Sequence, residues 1–414
     1  MDPTDGRYPA LKYRDFRLLW MGQFVSNAGT QMQIVALNWH IYVLTDSAVA
    51  LGLIGLARFI PIVIFSLIGG SVADAHNRKK LMIVTQTIMT ILSGILAFMT
   101  LTNTATPTII YIITALLAGA VAFDAPARQA LFPSLVERKH LANAASLNVI
   151  MFQTGMIVGP ALAGFLIASI GVGNIYLLNT LSFLAVIAAL LAMKHTGEIT
   201  GEKTQISLTS IVEGLAFVRS KTMIWSTMIL DFFSTFFASA TVLLPIFAKD
   251  VLNVGPQGLG ILYSAPSIGA VIAGTLMAHF GHTYLRHQGK VLLAAVSVFG
   301  FATILFGVST SFFVSLIALF ILGAGDSIST IIRNTIRQLE TPDNIRGRMT
   351  GINMIFFMGG PQLGEFEAGL VAAAVGGPVS VVLGGIGTLI VVGVMSIGIP
   401  QLRRYKGHEQ KEFL

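Results

Sequence analysis

Gly70-Ser71-Val72-Ala73-Asp74-Ala75-His76-Asn77-Arg78-Lys79-Lys80-Leu81 closes one long apolar run, turns within two or three residues, and opens the next. One carboxylate, Asp74, stands at the exit of the first run. Three cations, Arg78, Lys79 and Lys80, stand at the start of the second. The turn predicts left-handed backbone at Asn77, a geometry that asparagine tolerates better than most residues. Short loops rich in Lys and Arg face the cytoplasm in membrane proteins, so this loop fixes the direction of every other helix.

Working outward, the composition sets the class. The chain is 54% hydrophobic with only 11% charged residues, and its mean hydropathy is +0.78. A soluble domain carries about 25% charged residues. A bilayer crossing needs about 20 apolar residues, and such runs recur along the whole chain. They fall near 16–44, 49–73, 81–102, 107–132, 141–169 and 173–194, then 222–248, 258–281, 290–308, 312–337, 349–375 and 378–400. The expectation is an all-α membrane protein of twelve spans in two pseudo-symmetric six-helix bundles. The divisions are 1–194, a cytoplasmic linker 195–221, 222–402, and a basic tail 403–414. The linker holds Glu198, Glu202, Lys203, Glu213 and Arg219.

A net charge of +7 does not indicate nucleic acid here. Of 26 Lys and Arg, all but Arg58 and Lys249 fall on one side of the predicted membrane, which places both termini in the cytoplasm. There is no cysteine, hence no disulfide or thiolate chemistry. The first apolar run is too long for a signal-peptide core, so it is expected to stay as an anchor. Neither a phosphate-binding Gly-x-x-x-x-Gly-Lys-Ser/Thr loop nor a His-Glu-x-x-His zinc motif occurs, so ATP-driven pumping, an enzyme activity, a metal and a cofactor are not expected.

The halves resemble each other. Gly70-Ser-Val-Ala parallels Gly274-Thr-Leu-Met at an offset of 204, while Arg128 parallels Arg333 and Ser146-Leu-Asn148 parallels Gly351-Ile-Asn353, both at 205. Internal duplication of this kind is a transporter construction.

The opening loop also resembles the signature loop between helices 2 and 3 of the major facilitator superfamily. Gly70, Asp74, Arg78 and Lys79 match it, while Ala75 replaces a usual cation and Asn77 a usual glycine. Helix 5 carries Gly155, Gly159-Pro160 and Ala163-Gly164, similar to the pattern of superfamily antiporters, with Ala163 as the departure. Small residues there let helices approach closely, and Pro160 bends the helix. Tyr13-Arg14-Asp15-Phe16-Arg17-Leu18-Leu19-Trp20, Asp124-Ala-Pro126-Ala-Arg128-Gln129 and Arg346-Gly-Arg348 resemble the bacterial drug and siderophore exporter branch.

Ionisable groups inside the membrane cost roughly 2.5–3.5 kcal/mol each on insertion scales, so each needs a reason. Asp124 and Arg128 share a face at i, i+4. The resemblance implies a cytoplasmic latch: Asp124 with Arg78 or Arg128, and Asp74 toward the positive start of helix 11. Arg58 lies 16 residues before Asp74, and Glu365 16 after Met349, each about 24 Å above the cytoplasmic end of its helix. The resembled fold packs helices 2 and 11 together. Arg58 is therefore expected to pair with Glu365 or Glu367, and protonation of the acid would loosen that pair. Helices 1, 4, 7 and 10 line the cavity in that fold. This makes Asp231 a further proton or cation site candidate, the plainer reading being a carboxylate hydrated near the inner mouth. Asp326 and Arg333 share a face and are expected to pair across the cavity or with Asp231. Gln31, Gln33, Phe232 and Phe236 are cavity candidates, the plainer reading being helix packing for the glutamines and lipid contact for the aromatic run. His40 reads as an interfacial hydrogen-bonding residue.

The resemblance implies a proton-coupled exporter of amphipathic drug-like or siderophore-like molecules. Its partners would be the substrate, protons and the lipid bilayer, and it would act as a monomer in the bacterial cytoplasmic membrane. A lysolipid flippase of the same fold and a non-transporting sensor are the alternatives.

Overall fold

In this computed structural model, residues 8–197, 216–284, 287–342 and 346–407 are described. The linker residues Glu198, Glu202, Lys203 and Glu213, and the side chains of Arg346 and Arg348, lie outside the described set. Among the described residues the regular structure is entirely helical. The first six long helices are α1 (Arg14–Thr45), α2 (Ala48–Ala75), α3 (Arg78–Leu101), α4 (Pro107–Ser134), α5 (Leu141–Ile170) and α6 (Val172–Ala192). The second six are α7 (Thr222–Phe237), α8 (Gly255–Tyr284), α9 (Gln288–Val308), α10 (Phe312–Glu340), α11 (Arg346–Val375) and α12 (Gly377–Gly398). Ten of the helical spans are long and apolar enough to cross a membrane. The other two, α1 and α11, match them in length but carry more polar residues, among them Gln23, Asn27, Gln31 and Gln33 in α1 and Gln362, Glu365 and Glu367 in α11.

Helical structure is forced by the solvent, because lipid offers no partner for a free backbone N–H or C=O. Two local expectations fail, each for a physical reason. The run 222–248 is not one α-helix: α7 ends at Phe237 and continues as a 3-10 turn (Ala240–Leu243) and a π turn (Phe247–Val251). Pro245, which has no N–H to donate to the preceding turn, sits in the middle of that break. Asn77 is not left-handed, having φ −56° and ψ 115°. It caps α3 instead, its Oδ1 accepting from the Lys80 N–H at 3.0 Å.

The chain divides into two compact units, one of Met1–Thr45 with Ala57–Gln205, the other of Asp46–Leu56 with Ile206–Leu414. Inside each, the same pairings recur. In the first unit α1 packs on α5 and α6, and α3 on α4 and α6. In the second, α7 packs on α11 and α12, and α9 on α10 and α12.

The α1–α5 and α7–α11 crossings use glycine in the same register. A Cβ on Gly159 would lie 2.6 Å from Gln31 Cβ and 2.9 Å from the Ala28 carbonyl, and one on Gly155 would overlap the Asn27 amide. At Gly360 and Gly364, each 205 residues later, a Cβ would overlap Thr235 Oγ1 and the Phe236 carbonyl respectively. Pro160 and Gly164 are buried in the same stretch of α5.

Gly159→Ala and Gly364→Ala are therefore expected to destabilise by about 1–3 kcal/mol each, because backbone atoms must move. Gly393→Ala, in open space on α12, should leave stability equal or slightly higher. Thermal melting of the detergent-solubilised variants checks this; equal melting points for all three would contradict the crossing geometry.

Candidate functional site

Among the described residues, a cluster of ionisable groups inside the spans lies in the second unit, between α7 and α10. Asp231 on α7 is buried, and its Oδ1 is ion-paired with Arg333 Nη1. Helix packing leaves Asp231 this partner. On one side of α7, Phe232 and Thr235 back onto Gly360 of α11. On another, the Ser234 carbonyl accepts from Thr388 Oγ1 of α12 at 3.1 Å. The face carrying Asp231 turns to α10. Arg333 Nη2 also donates to Thr330 Oγ1 at 2.8 Å and lies 3.9 Å from Asp326 Oδ1. Asp326 sits about two turns earlier on the same face, with its side chain 48% exposed.

An open cleft adjoins the pair, lined by Thr227, Met228, Asp231, Thr330, Arg333, Asn334, Arg337, Asn353 and Phe357. Arg337, one turn beyond Arg333, donates to Asn334 Oδ1 at 2.6 Å. Of the lining residues, the sequence pointed to Asp231 and Arg333 as site residues and to Asn353 only as part of the repeat; Arg337, Asn334, Thr227, Met228, Thr330 and Phe357 went unnoticed. The i, i+4 spacing of Arg333 and Arg337 was the available signal for Arg337. The aromatic run has a different place from the cleft: Phe232 stacks on Phe236, with centroids 6.2 Å apart and planes at 12°, and meets Phe356 of α11 edge-on. Phe233 is exposed.

The first unit holds a more fully bonded counterpart. Asp124 Oδ1 accepts from Thr85 Oγ1 at 2.9 Å and Gln86 Nε2 at 3.0 Å. Its Oδ2 lies 3.8 Å from Arg128 Nε. Arg128 donates to Gln23 Oε1 at 3.1 Å and covers the Phe152 ring at 5.2 Å. Arg78 does not turn to Asp124; it donates to the Ala130 carbonyl at 3.3 Å. Lys79 Nζ donates to the Met193 carbonyl at 2.8 Å, and Asn77 Nδ2 to the Thr196 carbonyl at 2.7 Å, so this loop holds the end of α6. Asp74 and Gly70 are half-buried. The close approach of α2 to α4 belongs to Gly69, where a Cβ would overlap the Ala122 carbonyl.

Gln33 is a packing residue. Its Oε1 accepts from Ser93 Oγ at 2.8 Å and Asn179 Nδ2 at 2.6 Å, tying α1 to α3 and α6. Gln31 lies against Gly159. His40 is buried and hydrogen-bonding, with Nδ1 3.2 Å from the Tyr176 hydroxyl. Arg58, Glu365 and Glu367 are half-buried. Within the second unit, the beginning of α2 crosses α11 at glycines, Gly52 on Gly369 and Gly55 on Gln362 and Glu365. On that side, Lys249 pairs with Asp46 at 2.7 Å, which balances one of the two cations that break the charge bias.

The family described as transmembrane secretion effector matches residues 6–412. A staphyloferrin A transporter of Staphylococcus aureus is 28% identical over 294 residues, covering 70% of this chain and 71% of its own. An enterobactin exporter, EntS, of Salmonella typhi is 24% identical over 397 residues, covering 94% of each chain. Among solved structures, the nucleoside transporter NupG superposes with a TM-score of 0.74 at 15% identity, covering 95% of this chain and 100% of that one. A bacterial homologue of the iron transporter ferroportin superposes with a TM-score of 0.69 at 17% identity, covering 93% and 98%.

Removing one member of a buried ion pair strands the other. Arg333→Met should cost about 3 kcal/mol, and Asp231→Asn added to it should recover part of that loss. Melting curves of the single and double variants decide the matter; a double variant no more stable than Arg333→Met would show that the two side chains are not energetically coupled.

Proposed function

The chain belongs to the transmembrane secretion effector family of the major facilitator superfamily, and on that footing we propose that it exports amphipathic, siderophore-like or drug-like molecules in exchange for protons. It is a multi-pass membrane transporter of a small molecule. The finer reading places it in the bacterial cytoplasmic membrane, as a monomer with both termini in the cytoplasm, working by alternating access.

The observation that carries this reading is the buried Asp231–Arg333 pair with Asp326 beside it. Ionised groups inside a membrane span are costly and mark ion or substrate pathways. A carboxylate held by an arginine is also a proton site whose occupancy alters the pair. Protonation removes the charge that Arg333 attracts, and deprotonation restores it. Two relatives named for siderophore transport support the substrate class. In this reading Asp231 carries the coupled proton, while Glu365 and Glu367 are further candidates through a pairing with Arg58. The loop at Gly70, Asp74, Arg78 and Lys79, together with Asp124 and Arg128, serves as the cytoplasmic latch.

The test is flux in proteoliposomes of purified protein, with an internal pH dye reporting protons as catecholate siderophores, macrolides and lipophilic cations are added. Proton movement on adding a substrate is expected, and it should disappear in Asp231→Asn. Loss in Glu365→Gln or Glu367→Gln instead would move the coupling site to α11. No response to any substrate would reject proton-coupled export of these classes and favour a lysolipid flippase.

A further inference from the structure

We propose that the cleft between α7 and α10 binds an oxyanion, with Arg337 as its primary anchor and Arg333 as the second. The inference deepens the exporter reading by choosing among cargo classes, and it rests on that reading only for the identity of the cargo, not for binding.

The argument is one of charge and donor supply. Arg333 is satisfied: Asp231 takes one guanidinium nitrogen, Thr330 another, and Asp326 stands 3.9 Å off. Arg337 is not. It is half-buried and lines the same cleft, yet among the described residues its only hydrogen-bond acceptor is the neutral Asn334 amide oxygen. The nearby acid Glu340 accepts from the Tyr405 hydroxyl at 3.1 Å. A guanidinium has five N–H donors in a planar fork suited to a two-oxygen anion, so among the described residues most of Arg337's donor capacity is open. Such a charge, half-buried in the last turn of α10, favours an anionic partner.

The other lining groups agree. Asn334 Oδ1 is engaged by Arg337, leaving its Nδ2 to donate, and Asn353 adds a second amide. Thr330 Oγ1 accepts from Arg333 and keeps its own proton to give. Met228 and Phe357 supply an apolar floor for the body of an amphipathic ligand. A cation entering the same cleft would meet one carboxylate, Asp231, already neutralised by Arg333.

The ligand chemistry is thus a carboxylate, catecholate or phosphate attached to an apolar body. Either the cargo or the headgroup of an anionic lipid carries it. An oxyanion seated on Arg337 lies within reach of Arg333 and competes with Asp231 for it. Removing the Asp231 charge should therefore strengthen anion binding.

The experiment is calorimetric titration of the purified full chain in detergent with citrate, 2,3-dihydroxybenzoate and tetraphenylphosphonium. It is repeated in nanodiscs with and without phosphatidylglycerol. At least one oxyanion probe should bind. Its affinity should fall about tenfold or more in Arg337→Gln, as for a lost hydrogen bond to a charged group. It should largely survive in Arg337→Lys and rise in Asp231→Asn, with the phosphonium indifferent to Arg337. Equal affinity with and without phosphatidylglycerol identifies the site as one for cargo. Competition by phosphatidylglycerol that Arg337→Gln abolishes identifies a lipid phosphate site. Absence of anion binding, anion affinity unchanged in Arg337→Gln, or phosphonium binding lost in Asp231→Asn would each overturn the proposal. Should Arg337→Gln fail to fold, the Lys and Asp231 variants carry the test. Anion binding without proton-coupled flux would leave this inference standing and the exporter reading fallen; flux with binding indifferent to Arg337 would do the reverse.

Discussion

Helices in lipid gain nothing from hiding apolar surface from each other, so they associate where backbones come close enough for dense packing. Each unit is built around one such crossing, α5 on α1 in the first and α11 on α7 in the second. The glycines that permit it recur 205 residues apart, and so do the residues they face: Asn27 and Gln31 in one, Phe232 and Phe236 in the other. The crossing also fixes how the central helix of each unit is rotated. Once Phe232, Thr235 and Phe236 are committed to α11, and Ser234 to α12, Asp231 is left facing α10. The position of the carboxylate follows from where the glycines are.

The same solvent governs the polar side chains. In α1 they are cross-linked to neighbouring helices: Asn27 to carbonyls of α5, Gln33 to Ser93 and Asn179, and His40 to Tyr176. These bonds are neutral and join fixed positions. The corresponding helix of the second unit carries a carboxylate instead. The repeat has thus diverged in chemistry while keeping its packing, since Arg128 reaches the amide Gln23 on α1 whereas Arg333 reaches the acid Asp231 on α7. An amide has no ionisable form in this range, whereas a carboxylate can take up or release a proton.

Much of this was legible in the sequence because the signals were local. Apolar runs set the spans, the glycine spacing on helix 5 announced a close crossing, and the i, i+4 spacing joined Asp124 to Arg128. What escaped depended on partners far along the chain or on competing local chemistry. The tight turn suggested left-handed backbone at Asn77, but its side chain found more to do as a cap on Lys80 and a tie to Thr196. The close approach of α2 to α4 fell on Gly69, beside the motif glycine, because register between helices is set by packing. The cleft at Arg337 draws on α7, α10 and α11 together, and no single stretch of sequence encodes that meeting.

The two arginines related by the repeat differ in how freely they can change partners. Arg128 is held by three unlike contacts: the Asp124 carboxylate, the Gln23 amide and the Phe152 ring. Asp124 in turn has two further donors, so neither side chain would be left stranded by losing the other. Arg333 lies between two carboxylates, with Arg337 one turn away bringing a second positive charge to the same cleft. Charges so close in a poorly screened interior make each pairing depend on the state of the others. Neutralising Asp231 would let Arg333 turn to Asp326, which already lies 3.9 Å from its Nη2. Under the proposed antiport, the first unit's pair would serve as a fixed strut and the second unit's cluster, where Arg333 has a second carboxylate at 3.9 Å, as the part that rearranges.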